Sequence, residues 1–140
     1  MQYFIVKPEV AGGLGEHTSM DGSTHPPEVT SLHYVFDGWS GDVLLTSFPC
    51  YIVTPEARKE LERMQVTGAS FAPVEISKSE TFDELFPGRE LPKFSWLRVD
   101  GVAGVDDFGI AKDLRLTVSK RVLDVLSGMG LREAVITKYE

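Results

Sequence analysis

The sequence predicts an α+β domain, residues 1–140, in which a mixed, largely antiparallel sheet of about five to seven strands carries two main helices at about 55–66 and 120–129. Three observations lead there. From Leu114 to Tyr139, Leu114, Leu116 and Val118 alternate with Arg115 and Thr117 at the period of a half-buried strand. Ser119 then interrupts the pattern as a helix cap, and Val122, Val125, Leu126 and Met129 fall on one helical face. A second stretch repeats the scheme. Tyr51–Val53 is a short apolar run, Thr54 takes the capping place, and Pro55 follows at the first helical position, where a missing amide costs nothing. The third observation is that the other apolar runs are short and separated by Gly, Pro and Asp, the punctuation of strands and turns.

In chain order, Gln2–Lys7 lacks alternation and reads as a central strand covered on both faces. Residues 11–27 are rich in Gly, Ser and Thr without apolar period, which predicts a long loop. Leu32–Phe36 and Val43–Phe48 flank the turn residues Asp37, Gly38, Gly41 and Asp42, and so predict a hairpin. After the strand at 51–53, Ala57, Leu61 and Met64 mark the buried stripe of the first helix, Gly68 ends the unit, and Phe71–Ile76 reads as a strand. Phe82, Leu85 and Phe86 fit a short helical turn, and Phe86–Phe94 is a turn-rich connector, with Leu91 extended before Pro92. Trp96–Val99 is a strand and Val102–Ile110 a loop. The final helix stops at Gly128 and Gly130, and Ala134–Tyr139 is a closing strand.

The chain is long enough to bury roughly two-thirds of the surface its unfolded form exposes, so it needs no covalent staple. A lone cysteine, Cys50, rules out an internal disulfide and a zinc-ribbon framework, and in an apolar run it reads as a small buried hydrophobe. The first residues lack a basic flank and a long apolar core, which predicts a cytoplasmic protein without a membrane span.

Charge is informative once it is located. Residues 8–57 hold seven acids (Glu9, Glu16, Asp21, Glu28, Asp37, Asp42 and Glu56) and no lysine or arginine, whereas the rest of the chain balances fourteen acids with fourteen bases. The net charge of −7 therefore comes from this stretch. Such a field repels nucleic acid and speeds association with a cationic protein.

Residues that could carry chemistry do not form a catalytic constellation. His17, His25 and His33 share no ligand spacing, so neither they nor a set such as His25, His33 and Asp37 predicts a metal. Asp106 and Asp107 are neighbours whose side chains point apart in extended chain. Gly12, Gly13 and Gly15 lack the capped helix and basic residue of a phosphate loop. No catalytic residue, metal or cofactor is expected.

Three motifs read together bear a resemblance. They are the opening YFIVKP (Tyr3–Pro8), the PG-x-x-LP-x-F connector (Pro87–Phe94), and an ending in which Asp107–Phe108 precedes L-x-VS (Leu116–Ser119), a helix, Gly130–Leu131 and a last strand. This arrangement resembles the small immunity proteins of bacterial polymorphic toxin systems, in particular a Myxococcus-type family. A related group carries paired Cys-x-x-Cys knuckles that this chain lacks, so the resemblance implies no zinc. It implies a cytoplasmic inhibitor that binds one cognate toxin, without catalytic residues. Basic nucleases are common among such toxins, and the acidic stretch suits one. The expected partner-binding residues are Glu16, Asp21, Asp37, Trp39 and Asp42, with Asp106 and Asp107 as a second group. Two other classes stay open: a small enzyme assembled from Cys50, a histidine and Asp106 or Asp107, and a homo-oligomeric module pairing through the strands at 2–6 or 43–48.

Overall fold

A computed structural model describes residues 2–24 and 27–140. Its strands are β1 (Tyr3–Lys7), β2 (Gly12–Leu14), β3 (Ser19–Asp21), β4 (Glu28–Ser31), β5 (His33–Phe36), β6 (Leu44–Ser47), β7 (Cys50–Val53), β8 (Ala69–Ala72), β9 (Glu75–Lys78), β10 (Ser95–Val99), β11 (Phe108–Ile110), β12 (Leu116–Ser119) and β13 (Val135–Lys138). The helices are α1 (Pro55–Arg63), α2 (Glu80–Leu85) and α3 (Lys120–Gly130). The class is α+β as expected, but the strands form several sheets rather than one: β11-β12-β1-β13, β6-β7-β10-β8, β2-β5-β9 and the ribbon β3-β4. All pairings are antiparallel except β5 with β9.

The β6-β7-β10-β8 sheet is the centre of the molecule because β7 and the first half of β10 are covered on both faces. Its side chains alternate in direction, and the two directions feed two cores. Leu44, Val53 and Leu97 join Ala57 and Leu61 of α1, Val122 and Leu126 of α3, and Val6, Leu116 and Val118. Leu45, Cys50, Ile52 and Trp96 join Tyr34, Phe36, Phe82 and Phe94 on the other side. The cross-strand register Leu44↔Val53 and Leu45↔Ile52 keeps each pair on one face.

Both capped units form. Thr54 Oγ1 accepts from Ala57 N–H at 3.3 Å, and Ser119 Oγ accepts from Val122 N–H at 3.4 Å. Each cap satisfies a helix-terminal amide and contributes about 1 kcal/mol. The buried stripe of α3 is Val122 and Leu126, while Met129 at its end is 37% exposed. Gly68, at φ 85°, ends the first unit where a Cβ would lie 2.1 Å from Phe108 O.

Four expectations are corrected. The 32–36/43–48 hairpin does not form: β5 pairs with β2 and β9, and β6 with β7. The chain between them crosses from one sheet to the next because Val43 N–H donates to Gly130 O at 2.9 Å, drawing it towards the end of α3. Residues 11–27 are not one open loop, since they contain β2 and β3. Gly12 enables β2, because a Cβ there would lie 1.8 Å from Val35 O. β12 is buried on both faces, and Thr117, expected to face solvent, is 0% exposed and donates to Gly109 O at 3.1 Å. Finally, only one of the two strands proposed as an oligomer edge, β6, ends a sheet, and a backbone bond partly covers it. β1 lies between β12 and β13, and Thr46 N–H of β6 donates to Glu9 O at 3.0 Å.

Candidate functional site

Where the acids of residues 8–57 emerge decides what they can do. Glu16, Asp21, Glu28, Asp37 and Glu56 are exposed. Asp42 is 1% exposed, and Glu9 is half-buried with its carboxyl pKa raised, mainly by burial. The field that reaches solvent is therefore set by five carboxylates.

Two of them face each other. In the β3–β4 ribbon, Asp21 is directly opposite Glu28, and β3 is exposed along its whole length. Like charges opposite one another in a strand pair are destabilising. The ribbon tolerates them because both carboxylates face water and because Asp21 accepts from Ser23 N–H at 2.9 Å and Ser23 Oγ at 2.6 Å, bonds that hold its pKa low. Met20, paired with Val29 and 41% exposed, adds an apolar side chain to the acidic ribbon.

A two-stranded ribbon is marginal alone, so its base needs anchors. Val29 is buried in the core beneath it. Gly15 N–H donates to His33 O at 2.7 Å, and Thr18 Oγ1 both accepts from His33 N–H and donates to His33 O, each at 3.0 Å. Gly15 is required there, since a Cβ would lie 2.1 Å from His33 Nδ1.

The same place gathers titratable groups from three separate segments. His17 Nδ1 lies 2.9 Å from Glu75 Oε2, His33 Nε2 lies 3.6 Å from that oxygen, and the two imidazoles stack at 4.8 Å. The bond from Glu75, aided by its charge and that of Glu16, raises the His17 pKa. His33 is buried, with Nε2 2.7 Å from Ser77 Oγ, and its Nδ1 accepts from His17 N–H at 3.3 Å. That acceptor role puts the ring proton on Nε2. In this tautomer His33 donates to Ser77 instead of taking its proton, so the pair is not an activated nucleophile. Potential ligand atoms of His17, His33 and Glu75 lie within 4.8 Å of one another. A metal on His33 Nε2, however, would require the ring proton to move to Nδ1, against the His17 amide. The arrangement fits a hydrogen-bonded cluster, and sequence spacing gave no sign of it because Glu75 is 58 residues from His17. His25 lies outside the described residues.

Asp37 is exposed just past the other end of β5, roughly 13 Å from His33 along the strand. Trp39 is half-buried: its Nε1 donates to Asp42 O at 2.9 Å, its ring meets Phe94 edge-on at 5.6 Å, and the Arg89 guanidinium stacks over it at 5.1 Å. It lids the second core while keeping one edge at the surface. Asp42 departs from the expected role. Its Oδ1 accepts from Arg132 N–H at 2.9 Å and its Oδ2 from Glu133 N–H at 2.8 Å, so it pins the chain after α3 and offers a partner nothing.

Asp106, half-buried, and Asp107, buried, are likewise bonded within the fold. Asp106 Oδ2 accepts from Val102 N–H at 2.7 Å and closes its own turn. Asp107 accepts from Arg121 Nε at 2.9 Å and Nη2 at 2.6 Å, from Ser119 Oγ at 2.7 Å and from Thr67 N–H at 2.9 Å. The Arg121 bonds above all hold its pKa far below the carboxylate range. Cys50 lines a cavity of ≈ 200 Å³ with Glu28, Phe48, Tyr51, Trp96 and Arg98, and neither a described histidine nor Asp106 or Asp107 shares that lining. Burial pushes its thiol up to about 11, the reverse of an activated nucleophile.

No helix among the described residues is long and apolar enough to cross a membrane. No protein-family model and no curated protein sequence matches the chain.

Proposed function

We propose that this chain is a binding protein of the immunity type, which neutralises a cognate toxin domain by covering a basic surface on it. The observation that carries the reading is the exposure of Glu16, Asp21, Glu28, Asp37 and Glu56 from a stretch without lysine or arginine. The like-charge pair Asp21–Glu28 sharpens it, because a lysine or arginine placed between those carboxylates relieves their repulsion. Met20 and the exposed edge of Trp39 supply apolar contact on the same segment. The motifs shared with immunity proteins favour the same class.

The roles divide by position. Asp21 and Glu28 lie on the acidic ribbon with Glu16 at its base, Asp37 and Trp39 make a second contact beyond β5, and Asp42, Asp106 and Asp107 hold the scaffold. The test is co-purification with the toxin domain encoded beside this chain, at about 50 mM and about 500 mM salt, where the screening length falls from roughly 14 Å to roughly 4 Å. Association at unit stoichiometry that weakens with salt is the expected result. Its absence at low salt refutes the function.

A further inference from the structure

We propose that His17 and Glu75 form a protonation-controlled clasp on the acidic ribbon, closed while His17 is an imidazolium and loosened as it becomes neutral. His17 stands two residues before the start of β3 and four before Asp21, and Glu75 opens β9, which belongs to the three-stranded sheet β2-β5-β9. Their contact, 2.9 Å to Oε2 and 3.1 Å to Oε1, is a side-chain tie between the segment leading into the ribbon and β9.

Among the described residues, three side chains face His17. Glu75 comes from β9, Glu16 Oε1 lies 3.8 Å from His17 Nε2, and His33 stacks on the ring from β5. Two carboxylates therefore favour the charged form. His33 accepts from His17 N–H at Nδ1 and turns Nε2 towards Ser77 Oγ. The other anchors, Val29 and the Thr18–His33 bonds, carry no titrating atom on the ribbon side. Among the described residues, His17 is thus a group through which pH acts on the ribbon.

The direction follows from linkage. A histidine whose folded pKa is raised gives its stabilisation fully below the ordinary value near ~6.5, and that stabilisation is lost as pH rises through the raised value. The clasp is closed in mildly acidic solution and opens towards alkaline pH, provided Glu75 is ionised. Because both partners are largely exposed, opening loosens the ribbon without unfolding the domain. If the proposed function holds, loss of the imidazolium also makes the ribbon more negative, so affinity for a basic partner is linked to the same proton.

The experiment needs no partner, and its failure leaves the binding reading untouched. Hydrogen exchange at the β3–β4 amides, corrected for intrinsic rates, is followed from about pH 6 to about pH 8.5 alongside NMR titration of the His17 ring. Ribbon protection should fall about threefold or more, with a midpoint at the His17 pKa, while protection in β1, β7 and β12 stays constant. Glu75→Gln should lower that pKa and abolish the change, and His17→Gln should hold the ribbon at its alkaline level throughout. The clasp is overturned if ribbon protection does not vary with pH, if the same variation survives Glu75→Gln, or if the wild-type His17 pKa is not above the ordinary value.

Discussion

Replacing Asp107 by Asn removes one negative charge from a site that the fold is built around. Asp107 joins three elements: Arg121 on α3, the Ser119 cap, and Thr67 after α1. Asn keeps the size but cannot accept both guanidinium bonds, and its NH₂ group confronts a donor. Breaking a fully buried ion pair costs roughly 3–5 kcal/mol. Here the Asp107 side chain is 10% exposed but that of Arg121 is 51%, so the freed guanidinium keeps much of its hydration. The estimate falls to about 2 kcal/mol. For 140 residues the unfolding entropy is about 0.3 kcal/mol/K, which converts this to a drop of about 7 °C in Tm by calorimetry. A second signature separates charge from packing. Because the folded pKa is depressed, the wild-type contribution is complete above the ordinary carboxylate value near ~3.9 and is lost as pH falls below it. The Asn variant should therefore lose part of the acid limb of the stability profile. A Tm within about 1 °C of wild type, or an unchanged acid limb, refutes the network as a stabilising device.

Asp42→Ala leaves the Arg132 and Glu133 amides without their acceptor and should cost about 2 kcal/mol in urea unfolding, whereas Asp37→Ala, at an exposed carboxylate, should stay within about 0.5 kcal/mol. Thr54→Ala should lose about 1 kcal/mol, since the Ala57 amide then has no capping oxygen. Cys50, buried and with its thiol pushed up to about 11, should resist a thiol reagent at about pH 8 until denaturant is added, and rapid labelling of the native protein would contradict its burial.

What the sequence revealed was local. Thr54 and Ser119 are legible because a cap acts on an amide three residues away, and the stripes Ala57–Leu61 and Val122–Leu126 because helical periodicity needs no partner to be seen. What it hid was set by distant chain. β5 pairs in parallel with β9 some forty residues later, a choice no turn signal records. The glycines at 12–13 suggest loop by propensity, yet the absent Cβ at Gly12 is what lets β2 approach Val35. Asp37 and Asp42 look alike in sequence, and only the position of residues 132–133 makes one a surface charge and the other a buried cap. The acidic stretch was legible as a total. Which of its members reach solvent, and the meeting of His17 with Glu75, required the fold.

The binding reading rests on the acidic ribbon, so the most direct measurement is the association rate with the cognate toxin domain, across salt, for wild type and for Asp21→Asn/Glu28→Gln. The account predicts a rate about tenfold lower at low salt for the double variant and a shallower dependence on ionic strength, with Tm unchanged or raised because the opposed charges are gone. Equal rates and equal salt slopes for the two proteins would show that the partner does not meet this face.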